Sequence, residues 1–371
     1  MKDHTQITKI KDEIRNNGWD AALLTSPISV AFSTGFVCDP HERFLGLLLD
    51  KDGAVALYVP SLEKDNAEAV LGANSGSQNP DIKVIPVADT DNPYQILQKT
   101  GGSSIKKLAV EKDYLRLSQA EQLHNSFSGL SLFNIGNMIA ELRSRKTPDQ
   151  ISRIKIAVRL IEEVMAEGLK RVRVGMTEVD LVAELEYLMK KKGADYPAFG
   201  TTVLAGANSA LPHGTPGMTK IKEGEFLLID MGVFKDGFCS DITRTFVIGE
   251  PTAEMEKIYH TVLAAEEAAI AAVRTGGTLA ELDRTARRII EDAGYGPYFT
   301  HRVGHGLGLE VHEYPSIHGE NMDKIVPGMT FTIEPGIYIP GVGGVRIEDD
   351  VLATDSGPDV LTSFPKTLMR L

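Results

Sequence analysis

Five residues able to bind a metal ion stand in or beside apolar runs in the second half of this 371-residue chain. Asp230 closes the run that starts at Phe226, and Asp241 lies in the next one, after a loop containing Gly237. Glu334 follows Phe331–Ile333, Glu348 sits in Gly343-Gly344-Val345-Arg346-Ile347-Glu348-Asp349-Asp350, and the two acids are read on consecutive strands joined by the Pro340-Gly341 turn. His305 belongs to the glycine-flanked segment His301-Arg302-Val303-Gly304-His305-Gly306-Leu307-Gly308, with His312-Glu313 close behind. Read as one strand, residues 238–246 put Asp241 on a face with Cys239, Thr243 and Thr245, opposite Phe238, Ile242 and Phe246. An acid in so apolar a strand is expected to be buried. Four carboxylates converging in a core resist ionisation unless cations neutralise them. Two divalent metals sharing bridging carboxylates meet that need, and His305 can add a nitrogen where small residues let the backbone approach closely.

Taken singly, these residues have ordinary explanations. An acid on a strand is usually salt-bridged, and a core histidine is usually just hydrogen-bonded. The glycine-rich 301–308 segment also lacks the Lys-Ser/Thr ending and the strand-loop-helix setting of a phosphate loop. The joint pattern carries the inference.

Positioning such a cluster requires regular elements. Residues 7–17 read as an amphipathic helix stopped by Gly18, and 21–25, 44–49, 54–59 and 107–111 as strands. This predicts an α/β domain over residues 1–140. Thr147-Pro148-Asp149-Gln150 is a helix start with a capping box, and the helix runs to about Val172, so a second domain spans 141–371. Within it the sequence repeats. Arg173-Val174-Gly175-Met176-Thr177 is echoed by Arg274-Thr275-Gly276-Gly277-Thr278. Ile221-Lys222-Glu223-Gly224, leading to Asp230, is echoed by Ile325-Val326-Pro327-Gly328, leading to Glu334. Each half reads helix, helix, turn, strand, acid, and a second strand. Two α+β halves facing each other across a pseudo-twofold axis are expected.

Composition narrows the function classes. A formal charge of −12 disfavours nucleic acid and anionic membranes, and no apolar run approaches the ~20 residues that span a bilayer. The polar stretch 1–11 has no apolar signal-peptide core, and two cysteines are too few for a disulfide framework. A cytoplasmic protein is the expectation.

The order Asp230, Asp241, His305, Glu334, Glu348 resembles the dinuclear-metal pita-bread metallopeptidases. His305-Gly306-Leu307-Gly308 with His312-Glu313 is similar to that family's histidine motif. Glu334-Pro335-Gly336-Ile337-Tyr338 and Gly344-Val345-Arg346-Ile347-Glu348-Asp349 resemble its proline-peptidase branch, and the compact length is similar to bacterial Xaa-Pro dipeptidases. The resemblance covers the whole chain, since this branch carries an extra N-terminal α/β creatinase-like domain. It implies that Asp230 chelates one metal, His305 and Glu334 the other, and that Asp241 and Glu348 bridge them. Mn2+ or Co2+ are the usual occupants, with Zn2+ as an alternative, and the carboxylate-rich set suits Mn2+. It implies that a hydroxide between the metals attacks the carbonyl before proline while Glu334 shuttles the proton. His213 and His312 would hydrogen-bond the substrate and the oxyanion.

Arg346, two residues before Glu348, shares its strand face and is expected to pair with a carboxylate, either the substrate's or the protein's. The proline carboxylate of a dipeptide needs a cation of its own: Arg302, or else His41 or Arg43 from the N-terminal domain, here or in a partner subunit. The segment 319–324 lacks the arginine that some of these enzymes place there, so the sequence leaves this choice open. The resemblance also implies a homodimer acting on short proline-containing peptides. Three alternatives keep the fold: an Xaa-Pro aminopeptidase, a metal-free creatinase-like amidinohydrolase, and a binding module without catalysis. Retention of all five ligand positions argues against the last two.

Overall fold

A computed structural model describes residues 6–73 and 81–371; the first five residues of the polar N-terminal stretch lie outside them. The chain divides into two compact units, Met1–Arg143 and Ser144–Leu371. Among the described residues, no helix is long and apolar enough to cross a membrane.

The N-terminal unit is built on one six-stranded sheet. Its strands are β1 (Ala21–Leu24), β2 (Gly46–Asp50), β3 (Val55–Pro60), β4 (Ile82–Val87), β5 (Lys107–Val110) and β6 (Ser131–Asn134), in the order β4-β3-β2-β1-β5-β6. Central β1 is buried along its whole length, as its uninterrupted Ala-Ala-Leu-Leu run requires. Helices α1 (Gln6–Asn16), α2 (Pro27–Thr34), α3 (Lys64–Ala73), α4 (Pro93–Gly101), α5 (Leu117–Ser126) and α6 (Gly136–Ser144) complete it. Separate apolar clusters, one around Ile10, Leu24 and Leu47 and the other around Leu23, Leu48 and Phe127, form its core.

The second unit opens with α7 (Pro148–Leu169). Thr147 Oγ1 accepts from Gln150 N at 3.3 Å while Thr147 N donates to Gln150 Oε1 at 2.9 Å, closing the box the sequence spelled. The helix stops three residues short of the expected Val172. Helix α8 (Glu178–Lys191) follows, then β7 (Tyr196–Pro197), β8 (Thr202–Ala205), β9 (Phe226–Met231), β10 (Val233–Lys235), β11 (Phe238–Cys239) and β12 (Ile242–Val247). The second half repeats the scheme with α9 (Ala253–Ala271) and α10 (Leu279–Asp292). Its strands are β13 (Gly304–Gly306), β14 (Glu313–Ile317), β15 (Thr330–Ile333), β16 (Gly336–Ile339), β17 (Gly343–Arg346), β18 (Asp349–Thr354) and β19 (Gly357–Val360).

The internal repeat is visible in backbone bonds. Thr177 bridges Lys220 in the first half, and Thr278 bridges Lys324 in the second. Each half has its own core, one around Ile161, Leu185 and Ile229 and the other around Val262, Leu282 and Phe331. The copies differ in detail, because Thr177 caps α8 with its side chain whereas the side chain of Thr278 makes no cap bond.

Two strand expectations need correction. Residues 238–246 do not form one strand: β11 joins the sheet β11-β10-β7, β12 joins β12-β9-β8, and the chain crosses between them at Ser240-Asp241. The crossing presses so closely on Gly232 that a Cβ there would lie 2.0 Å from the Ser240 carbonyl oxygen. All of β12 is buried, so the predicted polar and apolar faces merge into one interior. Likewise Glu334 and Glu348 do not lie on consecutive strands. They flank β15 and β18, which pair antiparallel through Ile333 and Asp349, with the β16–β17 hairpin inserted between them.

Candidate metal centre

The strand register brings the acids together. Asp230 lies opposite Thr243 on the β9–β12 ladder, and Asp241 precedes β12 by one residue. Glu334 and Glu348 adjoin the paired Ile333 and Asp349. His305 is central in β13, which runs between β14 and β15. Side chains cannot fit there: a Cβ on Gly304 would lie 1.9 Å from Thr332 O, and one on Gly306 2.3 Å from Tyr314 O. The two glycines let the backbone of His305 sit flush in the sheet, where its N–H donates to Thr332 Oγ1 at 3.2 Å.

Asp241, His305 and Glu348 each offer a ligand atom within 4.8 Å of the other two, and all three are buried. Glu334 Oε1 lies 3.3 Å from His305 Nε2, and Asp241 Oδ2 lies 3.8 Å from it. Glu334 and Asp230 keep 16% and 17% of their side chains exposed and face a cleft of about 840 Å3 that all five residues line.

The electrostatics are those of a site built around positive charge. Burial first, and then neighbouring carboxylates, push Asp241 and Glu348 well above the usual carboxylate range; burial pushes Glu334 up to about 8. Desolvation pushes His305 down to about 3, leaving a neutral imidazole. Its Nδ1 lies 3.2 Å from Gly306 O, which assigns the proton to Nδ1 and turns the Nε2 lone pair toward the carboxylates. Asp230 Oδ1 and Asp241 Oδ1 are buried without a hydrogen-bond partner. Orphaned acceptors, suppressed ionisation and an imidazole lone pair aimed at acids fit a divalent cation cluster.

The surrounding residues hold the acids in place. Thr243 Oγ1 donates to Glu348 Oε2 at 2.6 Å, and Asp241 N donates to Asp350 Oδ2 at 3.1 Å. Of the two alternatives for Arg346, the structure shows pairing with the protein. Its Nη2 lies 2.5 Å from Asp230 Oδ2, Nε donates to Thr243 and Nη1 to Tyr338 at 2.8 Å. The Tyr338 hydroxyl donates to His301 Nε2 at 2.9 Å, and His301 Nδ1 donates to Arg302 O at 2.7 Å. Burial takes Tyr338 up to about 12 and His301 down to about 4, so the chain runs in one direction. His301, Tyr338, Thr243 and Asp350 were not assigned from sequence. His301, Tyr338 and Asp350 lie within the motifs visible in the sequence, but only the fold puts them in contact with their partners.

His213 and His312 both line the cleft and both are exposed at its rim. The ring of His312 packs edge-on to that of His305, with centroids 4.0 Å apart, and its pKa is lowered by desolvation and by the charge of Arg302. Arg302 lines the cleft too; among the described residues, its guanidinium donates only to Ser316 Oγ, at 3.0 Å. His41 and Arg43 belong to the N-terminal unit. His41 is exposed beside Asp39, while Arg43 is paired with Asp89 and Glu42.

The sequence matches a metallopeptidase family M24 model over residues 152–355 and a creatinase/prolidase N-terminal domain model over 6–145. An uncharacterized peptidase of Staphylococcus aureus (strain USA300) is 41% identical over 362 residues, covering 98% of this chain and all of that one. The structure resembles an Xaa-Pro dipeptidase from Bacillus anthracis (TM-score 0.90, 32% identity, 98% and 99% of the two chains covered). It also resembles a prolidase from Pyrococcus furiosus (0.86, 35%, 95% and 99%) and an X-Pro aminopeptidase from Thermotoga maritima (0.85, 33%, 97% and 100%). With buried acids and a histidine converging in a cleft, and with the family model spanning that whole region, the chain belongs to metallopeptidase family M24.

Proposed function

We propose that this enzyme hydrolyses the bond before proline in Xaa-Pro dipeptides, with two divalent ions held by Asp230, Asp241, His305, Glu334 and Glu348. The observation that carries it is the joint presence, in one cleft, of acids whose ionisation is suppressed and an arginine whose guanidinium is largely uncommitted. The choice of proline is drawn from the dipeptidase and prolidase neighbours. Four carboxylates and one imidazole form an oxygen-rich donor set that suits Mn2+, with Co2+ or Zn2+ as alternatives. Such ions, when bound, supply Lewis acidity and lower the pKa of water.

The chain's own residues divide the remaining work. Glu334, at the cleft surface, accepts the proton of the attacking water and returns it to the departing proline nitrogen. His312, a neutral imidazole, donates to the carbonyl oxygen as charge builds there, and His213 hydrogen-bonds the substrate from the loop after Pro212. Arg302 pairs with the proline carboxylate. It is preferred to Arg43, whose guanidinium is already committed to Asp89 and Glu42.

The second reading is an Xaa-Pro aminopeptidase, which the Thermotoga maritima neighbour supports at comparable identity. Assaying metal-loaded enzyme on an Xaa-Pro dipeptide and an Xaa-Pro-Yaa tripeptide separates the two. The dipeptide is expected to be preferred by roughly tenfold or more in kcat/KM. Equal or faster cleavage of the tripeptide selects the aminopeptidase, and cleavage of neither rejects both.

A further inference from the structure

Asp283 and Arg287 lie one turn apart on α10 and form a two-pronged ion pair. Nε reaches Oδ2 at 3.0 Å and Nη2 reaches Oδ1 at 3.1 Å. Pairs at this spacing usually decorate solvent-facing helix surfaces and contribute little. This one is different, since the Asp283 side chain is 2% exposed and both partners grip a second segment. Arg287 Nη1 donates to Phe299 O at 3.0 Å and Nη2 to His301 O at 2.9 Å, while Val303 N donates to Asp283 Oδ1 at 3.0 Å. The guanidinium also stacks 4.3 Å from the centroid of the Phe299 ring. Backbone groups of residues 299, 301 and 303 are thus all held by α10. Arg302, flanked by two of these anchors, reaches Ser316 and the cleft.

We propose that the Asp283–Arg287 pair is a positioning device that fixes Arg302, and so sets the preference for a substrate with a free C-terminal carboxylate. This rests on the assignment of Arg302 to the proline carboxylate made above. The physical reason is the forked geometry of the guanidinium, which can serve a carboxylate and two carbonyls at once; a lysine ammonium in that place cannot span all of them. With the fork lost, Val303 keeps its backbone hydrogen bonds to Ile317 on β14 and to Glu334, and its bond to Asp283, but Phe299 and His301 lose their anchors to α10, and the arginine carried between them and Val303 can shift. A shift of about 1 Å at a charge-recognising group is enough to alter substrate binding.

The test compares the wild type, Arg287→Lys, Arg287→Met and Arg302→Met as metal-loaded enzymes. Each is assayed for kcat and KM on an Xaa-Pro dipeptide and on its C-terminal amide, with metal content measured per chain. Arg302→Met should lower the acid-to-amide ratio of kcat/KM by roughly tenfold or more. Both Arg287 variants should lower the same ratio several-fold through a raised KM for the acid, with amide hydrolysis and metal content unchanged. Arg287→Lys carries the test if Arg287→Met does not fold. If Arg302→Met lowers the ratio and Arg287→Lys leaves it intact, the pair is a structural staple and the inference is wrong. If Arg302→Met itself leaves the ratio intact, the carboxylate assignment fails and the inference falls with it.

Discussion

His305 Nε2 and Glu334 Oε1 face each other at 3.3 Å, with the imidazole proton committed on the far side to Gly306. Two lone pairs at that separation repel unless something positive lies between them. In the metal-free protein the something is a proton, because burial holds Glu334 near a pKa of about 8. A divalent cation held there would replace it, so metal uptake at neutral pH should expel protons. Calorimetric titration of the metal-free protein in buffers of different ionisation enthalpy should report at least one proton released per chain at pH 7. Release should diminish above about pH 8. No release at pH 7 would mean that the acids are already ionised and that burial does not govern them.

The same groups make a stability prediction whose sign is fixed. Asp241, Glu334 and Glu348 all have folded pKa values raised above their unfolded values. Their favourable contribution is therefore complete below the ordinary carboxylate range and is lost as pH rises through the folded values, up to about 8 for Glu334. The Tm of the metal-free protein should fall between about pH 5 and pH 8, and the gap to the metal-loaded protein should widen over that window. Parallel melting curves would contradict this.

The buried ion pair of Lys146 with Glu313 holds the residue next to His312. Nζ lies 2.5 Å from Oε1, and the two side chains are 2% and 4% exposed. Lys146→Met leaves a buried carboxylate without that charge and should cost about 3–5 kcal/mol in chemical denaturation. Replacing both partners by apolar residues should recover much of that loss. A single variant as stable as the wild type would show that the pair contributes nothing.

At Gly232 even one methyl group is too much, since it would meet the Ser240 carbonyl where the chain changes sheets just before Asp241. Gly232→Ala should destabilise the protein by about 1–3 kcal/mol or more and weaken metal binding together with stability. A variant with wild-type Tm and metal affinity would show that the crossing relaxes freely.

Tyr338→Phe removes the relay between Arg346 and His301 while preserving shape. It removes two buried hydrogen bonds and should lower kcat/KM by roughly tenfold or more, with metal content unchanged. Loss of metal instead would assign Tyr338 to holding the cage through Arg346 and Asp230.

The four acids that converge in the cleft were legible in the sequence because they sit at or beside strand ends and recur at nearly constant offset, and the helix box at Thr147 was equally plain. Asp283 and Arg287 were not. An acid and an arginine one turn apart read as a surface pair, and the backbone groups they hold come from a segment 12 to 20 residues on. The break at Ser240-Asp241 was hidden for another reason. Residues buried on both faces lose the alternation that would mark a strand's end, and the close approach at Gly232 appears only when both strands are in place. Arg346 was ambiguous because a carboxylate of the substrate and one of the protein ask for the same guanidinium. Only the 2.5 Å contact with Asp230 separates them.

Cleavage of Xaa-Pro dipeptides by a two-metal cage can be followed by titrating Mn2+ into the metal-free protein while recording hydrolysis of one such dipeptide. No turnover without metal is expected, and activity should saturate at two ions per chain. Turnover in the presence of excess chelator, or saturation at one ion, would contradict the two-metal cage.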